Sequence, residues 1–231
     1  TLASPGISTA QDGATDPLTE ISDWDIARTP DGKMVAATVV FDAGIGLAVR
    51  CLDNRALDVL FLGLPEMEGL SRQLHIGHGG RKRTSQTWYA TSNPATIASG
   101  LPAPMARRLR EGGAVSAVLV NRGGDGRNIR YELSLPVSNT AVDEILTACD
   151  RPLVDPRDAE LDALGSSGLP VSARWKRWPR VSYVPRSSAG FVVVSCVAQS
   201  DGQVSDCVVE SEYPYNEGFG ASVLRATRSS R

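Results

Sequence analysis

Residues 190–212 read GFVVVSCVAQSDGQVSDCVVESE, and this stretch decides the fold of the C-terminal part of the chain. Two runs rich in β-branched residues flank Asp201-Gly202, a dipeptide suited to a tight hairpin because both positions tolerate a positive φ. A two-residue turn at this dipeptide sets Cys196 opposite Cys207. Directly opposed strand residues lie close enough for a disulfide. The stretch therefore predicts a β-hairpin closed by a Cys196–Cys207 bridge.

The same two-residue turn fixes the pairing on both sides of the bridge. It places Ser200 opposite Gln203, next to the turn, and Val197 opposite Asp206. After the second strand, a stretch rich in Ala and Leu that begins at Phe219 predicts a helix. The C-terminal part is thus expected to be a compact hairpin–helix module.

The hairpin and helix resemble the C-terminal domain of TonB-type energy transducers. That family carries Gly-x-Val before a β run, Asp-Gly at the turn, Val-x-Asp before a second β run, a Ser-rich bend and an Ala/Leu-rich helix. The matching residues are Gly190, Val192, Val194, Asp201, Gly202, Val204, Asp206, Val208, Ser211, Phe219, Ala221, Leu224 and Ala226. The paired cysteines and Gly218-Phe219-Gly220 are similar to a disulfide-bearing branch of TonB-like proteins. The match covers less than a quarter of the chain.

The resemblance implies partner binding by strand addition, in which an exposed sheet edge accepts an extended peptide of an outer-membrane receptor. The candidate partner-binding residues are Trp175, Trp178, Tyr183, Val192 and Val194. TonB-like domains continue into a final strand after the helix, whereas this sequence stops soon after it. We therefore expect the final strand to be missing, and we expect the membrane anchor and Pro-rich spacer of a transducer to be absent from this chain.

The bulk composition favours an exported protein. With 231 residues and 42% hydrophobic content, the chain can bury one large core or two small ones. A formal net charge of -2 gives no electrostatic argument for binding nucleic acid or an anionic membrane. Four cysteines, two of them in bridging register, indicate an oxidising compartment. The sequence opens at Thr1 without Met, so we expect that a leader was removed and that the protein is periplasmic or otherwise exported.

The N-terminal part predicts an antiparallel β-sandwich or barrel. Residues 1–20 are small, polar and without pattern, and are expected to be a flexible tail; residues 21–150 form the predicted β-domain. Gly, Pro, Asp and Asn separate short β-rich runs at 34–41, 46–52, 57–62, 73–76, 87–90, 114–120 and 129–135. Helices are predicted at 104–111 and at 139–149, and the first residue of the second one, Asn139, is its predicted capping residue. The fold class is therefore α+β, mainly β with α.

The second helix predicts the partner of another cysteine. Its apolar face carries Cys149 to the domain core, where Cys51 ends a β run, so a Cys51–Cys149 bridge is the favoured hypothesis. Pairings 51–196 and 149–207 stay open from sequence, although the hairpin register disfavours them. This region also faintly resembles secreted β-domains of the invasion-associated locus B type, on the positions of Trp24, Asn139, Ile145 and Cys149.

Residues 151–186 are expected to be a connector between the β-domain and a TonB-like module at 187–231. Asp155-Pro156 can start a short helix at 157–164. In the connector, Trp175 and Trp178 alternate with basic residues, a pattern that can stack on sugars, nucleobases or a partner peptide. The alternative is that both indoles bury against the β-domain and fix the connector.

Residues with the chemistry of an active site are scarce. His75 and His78 lie three apart, which in a strand puts them on opposite faces, and no third metal ligand is near. The sequence lacks a Gly-x-Ser-x-Gly elbow, and the Gly-rich residues 77–80 lack the ending of a phosphate-binding loop. We therefore expect no catalytic residue, metal or cofactor. The predicted function is a non-enzymatic, TonB-type binding or scaffolding protein in the periplasm of a Gram-negative bacterium; the alternative is an envelope-acting enzyme or inhibitor.

Overall fold

A computed structural model describes residues 23–120, 127–164, 168–169, 174–181, 190–228 and 230 of the chain. The predicted flexible tail at 1–20, Tyr183 and parts of the predicted connector lie outside the described residues. The strands are β1 Asp25–Arg28, β2 Met34–Val40, β3 Gly46–Leu52, β4 Ala56–Leu62, β5 Ser71–His78, β6 Thr84–Ala90, β7 Ile97–Ser99, β8 Gly113–Leu119, β9 Ile129–Leu135, β10 Phe191–Ala198 and β11 Val204–Tyr213. The helices are α1 Pro102–Leu109, α2 Thr140–Ala148, α3 Arg157–Asp162 and α4 Phe219–Thr227.

Nine strands form one antiparallel sheet in the order β1-β2-β3-β4-β7-β6-β5-β8-β9. Short apolar runs separated by turns produce this sheet, and the predicted α+β class, mainly β, is confirmed. The barrel alternative is wrong, because β1 and β9 are the two ends of the sheet and do not pair with each other in the described residues. Two strands, β1 and β7, were not predicted, since four and three residues are too few to show alternation.

The sheet is strongly curved, and its concave face holds the core. In a flat sheet, β4 and β9 would lie five strand spacings apart, about 24 Å. Instead the rings of Phe61 on β4 and Tyr131 on β9 have centroids 6.0 Å apart. Phe61 also makes an edge contact with the fully buried Trp88 on β6 at 6.1 Å. The inward-facing residues of both halves therefore share one apolar cluster.

Helices α1 and α2 complete that core. α1 packs against β4, and α2 packs against β2 and β3 with Val142, Ile145 and Leu146 fully buried. A disulfide joins Cys149, directly after α2, to Cys51 on β3, which is the pairing favoured from sequence. The capping role predicted for Asn139 is wrong. This residue precedes α2 but has an αR conformation, and its side chain makes no capping hydrogen bond.

The hairpin of β10 and β11 differs from the predicted one at its turn. Gln199 pairs with Gln203, so the loop holds three residues instead of two, and the predicted Ser200–Gln203 pairing is wrong. Only Gly202 in this loop has a positive φ, +81°, because a three-residue loop spares Asp201 the left-handed conformation that a two-residue turn would require.

A β-bulge then restores the predicted alignment of the cysteines. Val197 pairs with Ser205 instead of Asp206, and Asp206 is an additional residue with φ of +49°. The bulge shifts the pairing back by one residue, so the Cys196–Cys207 disulfide forms with 4.1 Å between the Cα atoms. The longer loop shifts the strand pairing by one residue and the bulge shifts it back, which is why the predicted bridge forms.

Candidate partner-binding edge of the C-terminal hairpin

One face of the hairpin packs on the convex face of the nine-stranded sheet. Ala48, Leu60 and Ala98 form a small buried patch there, and Phe191 of β10 packs against it. The Phe191 ring stacks on Tyr89 with centroids 4.3 Å apart and an interplanar angle of 13°. Two layers of strands therefore face each other at this point, as in a sandwich.

Polar contacts fix the same interface. The Ser211 hydroxyl donates to the Gly100 carbonyl at 3.0 Å, and the Tyr213 hydroxyl accepts from the Ser92 main-chain N–H at 2.8 Å. A Cβ at Gly100 would lie 2.9 Å from the Tyr89 ring and 3.2 Å from Val193 Cγ2 of β10, so glycine leaves room for both the ring and the hairpin. These bonds join parts of the chain more than one hundred residues apart and hold the hairpin in one position on the sheet.

The opposite face of the hairpin is covered by α4. The Glu212 carboxylate accepts from the Phe219 main-chain N–H at 2.8 Å and so satisfies a donor at the start of α4. Val192 pairs with Glu212 and therefore shares its face, and Val194 lies on that face as well. The side chains of these two candidate residues are half-buried. Their main-chain groups are thus the more accessible means of contact with a partner.

The main chain of Val192 and Val194 points to the outer edge of β10. The short Cα distance between Cys196 and Cys207 is that of a non-hydrogen-bonded pair, in which N–H and C=O point away from the partner strand. Alternation along β10 directs the main-chain groups of Val194 and Val192 the same way. Among the described residues β10 pairs with β11 alone, so these groups have no strand partner there.

β10 is also the strand edge with the fewest protective features. It reads FVVVSCVA, with eight residues, no charge and no proline. The bulged residues of the hairpin, Asp206 and Glu210, are both on β11, so β10 itself is regular. Val197 near its end is 49% exposed. A long, regular, uncharged edge favours pairing with another strand.

The two edges of the large sheet have the protective features that β10 lacks. β1 has only four residues, all exposed, and begins and ends with the charged Asp25 and Arg28. β9 carries Arg130 and Glu132 on its outward face. Short length and charge both discourage edge-to-edge pairing. In the described part of the chain, β10 is therefore the best candidate for strand addition.

An ion-pair network braces the hairpin against the connector helix. Arg107 on α1 is buried and donates two hydrogen bonds to Asp158 on α3, both 2.6 Å long. Arg157 on α3 contacts Glu210 of β11 at 3.4 Å, and the Ser195 hydroxyl of β10 donates to the same carboxylate at 2.5 Å. α1, α3 and the hairpin are thereby linked.

Sequence reasoning missed this network, although one signal was present. Glu210 directly follows the apolar residues Val208 and Val209 of β11, and a carboxylate buried in a strand requires a partner. Hydrogen bonding to Arg157 lowers the pKa of Asp155 in the same connector, which favours the ionised form of this carboxylate. That Arg157 is the cation paired with Glu210 could not be predicted, because the two residues meet only through tertiary contacts.

The remaining candidate residues are placed as follows. Trp175 and Trp178 contact each other, with ring centroids 5.7 Å apart and an interplanar angle of 36°. Trp178 is 68% exposed, so the expectation that both indoles bury against the β-domain is wrong for this residue. The two tryptophans are not brought to the β10 edge by any described contact.

The histidines lie on opposite faces of β5. His75 is exposed, whereas His78 is buried and neither of its ring nitrogens has a hydrogen-bond partner in the described structure. Burial, together with the positive charges of Arg108 and Arg81, lowers the pKa of the His78 imidazole to about 4. No group of three or more His, Cys, Asp or Glu side chains within the described ranges could hold a metal ion.

A cleft of about 170 Å³ lies between β4 and β11, and its carboxylates are already engaged. Asp58 pairs with Arg50 at 2.9 Å, and burial raises the pKa of the Asp58 carboxyl despite this guanidinium. Glu210 and Glu212 take part in the contacts described above. Each of the three carboxylates of the cleft therefore already has a partner within the fold.

Two disulfides indicate an oxidising, exported environment for this protein. None of the helices in the described ranges is long and apolar enough to cross a bilayer. Comparison with protein-family models gives no match. Searches among curated proteins and among solved structures give no significant match either.

Proposed function

We propose that this protein is a non-enzymatic binding protein of the Gram-negative periplasm that takes up an extended peptide by strand addition at the outer edge of β10. The observation that carries the proposal is that edge itself: eight uncharged residues whose outward main-chain groups have no strand partner in the described structure. The two disulfides support an exported location, and the periplasm is the compartment that the TonB resemblance of residues 190–228 suggests.

The rest of the module supports this use of β10. The disulfide to β11, the cover of α4 and the contacts of Phe191 and Ser211 with the large sheet hold the strand in an extended form before any partner arrives. An edge that is already ordered loses little entropy on binding, so main-chain hydrogen bonds can provide the affinity. An outer-membrane receptor segment is the partner we propose.

A proline substitution on β10 tests the proposal. Val194→Pro removes an N–H that points to the open edge, and proline is tolerated at edge positions of this kind. Val194→Ala is the matched control, because it shortens the same side chain but keeps the N–H. Far-UV circular dichroism and a thermal melt verify that both variants fold.

The binding assay uses the protein as bait on an outer-membrane extract of Gram-negative cells. We expect wild type and Val194→Ala to retain the same protein at high salt, and Val194→Pro to lose it. Hydrogen exchange on the recovered complex should slow at the amides of Val192, Val194 and Cys196. Equal retention by Val194→Pro, or slowed exchange elsewhere only, would refute strand addition at β10.

A further inference from the structure

The connector segment at 174–181, sequence RWKRWPRV, exposes apolar side chains to solvent. Trp178 is 68% exposed and Val181 is 48% exposed. The Trp178 ring packs against the Trp175 ring with 5.7 Å between their centroids, so the two indoles form one apolar surface. Trp175 itself is half-buried, and an exposed tryptophan packed on it next to an exposed valine indicates an interaction surface.

The same segment has a dense positive charge. Four of its eight residues are cations and none is acidic; the cations are Arg174, Lys176, Arg177 and Arg180, all of them exposed. None of the four takes part in an ion pair within the described structure. The acidic residues of the preceding α3 form no ion pair with them in the described structure: Asp158 binds Arg107, Asp162 binds Arg108, and Glu160 is in no ion pair there.

We propose that segment 174–181 docks on an anionic lipid surface, independently of the β10 edge. Tryptophan prefers the headgroup level of a bilayer, where the indole has both apolar and polar surroundings. Lys and Arg beside it are attracted by anionic headgroups, and each contributes about a five-fold increase in binding. The segment combines these two requirements within eight residues.

Two observations favour lipid over a nucleic acid or another polyanion. Val181 is aliphatic and exposed, which suits acyl chains but offers nothing to stack on a base. In addition, Trp178 and Trp175 already contact each other, so they do not present two separate stacking faces.

The net charge of the whole chain does not reveal the positive charge of segment 174–181. The chain has a net charge of -2, so the part outside the segment is more acidic than this total indicates. An anionic surface attracts the segment and repels the acidic remainder, which orients the protein with the connector toward the lipid.

Vesicle sedimentation tests the proposal with the whole chain. The probe is a vesicle of phosphatidylcholine containing phosphatidylglycerol, and pure phosphatidylcholine vesicles are the neutral comparison. We expect binding to the anionic vesicles, a loss of roughly 25-fold in the variant K176Q/R177Q, and a weakening at high salt. The variant K33Q/K82Q is the matched control, because it also removes two exposed positive charges and should bind like wild type.

Tryptophan fluorescence gives a second readout. Trp24 and Trp88 are buried, so a blue shift on adding anionic vesicles reports Trp175 and Trp178. Equal binding by K176Q/R177Q, equal binding to neutral vesicles, or absence of the blue shift would overturn the proposal. Tighter binding to a single-stranded oligonucleotide than to the anionic vesicles would overturn it as well.

Discussion

The two disulfides close loops of very different length, and this difference predicts how much each stabilises the fold. Cys51 and Cys149 are 98 residues apart, whereas Cys196 and Cys207 are 11 apart. In the chain-entropy treatment, the first bridge contributes about 4.7 kcal/mol and the second about 2.8 kcal/mol to the free energy of unfolding. The long-range bridge should therefore stabilise the protein by about 2 kcal/mol more than the hairpin bridge.

Urea unfolding of the double variants C51A/C149A and C196A/C207A measures this difference. The signals are far-UV circular dichroism and tryptophan fluorescence, to which the buried Trp24 and Trp88 contribute, and the free energy of unfolding is extrapolated to zero urea. Since Cys51 and Cys149 are buried, their replacement also removes packed sulfur atoms. A comparison of reduced wild type with reduced C51A/C149A isolates that packing contribution, which is then subtracted.

The expected order is a greater loss for C51A/C149A after this subtraction. Equal losses, or a greater loss for C196A/C207A, would refute the argument from loop length. Such a result would mean that the unfolded chain keeps the ends of the long loop close together, so that the bridge restricts it less than assumed.

Two further perturbations test a buried neutral histidine and a buried ion pair. The pKa of His78 is about 4 in the folded protein and near 6.5 in the unfolded chain. Between these pH values only the unfolded state binds the proton. The free energy of unfolding therefore has its full value above pH 6.5 and falls by about 3 kcal/mol as the pH drops to 4. His78→Leu should abolish this part of the pH dependence in urea titrations, and an unchanged profile would contradict the assignment. Arg107→Ala should cost about 3 kcal/mol, because Asp158 and the Pro152 carbonyl lose their donors. Arg107→Lys, which keeps the charge, should lose less in a thermal melt, and equal stability of wild type and Arg107→Ala would contradict a structural role for the pair.

Local sequence predicted the elements whose signals are contiguous. The alternation of residues 129–135 predicted β9, the Asp201-Gly202 dipeptide predicted a hairpin, and the Cys196–Cys207 pairing followed from strand register. The three-residue loop and the Asp206 bulge were not predicted. Each shifts the strand pairing by one residue in opposite directions, so Cys196 still lies opposite Cys207 and the pairing of the cysteines does not reveal them. The candidate site was predicted as a module and as Val192 and Val194, but not as the outer edge of β10.

The sequence by itself determined the α+β class, the hairpin–helix module and the cysteines that reach the core, since these depend on periodicity and on neighbours within about ten residues. Only the tertiary structure decided that the sheet curves enough to bring Phe61 to Tyr131, that Phe191 lies on Tyr89, and that β10 is the unprotected edge. The physical reason is that strand order, curvature and the exposure of an edge depend on contacts between residues far apart in the chain. Each such contact has many alternative partners in the sequence, and the packing of the whole molecule selects among them.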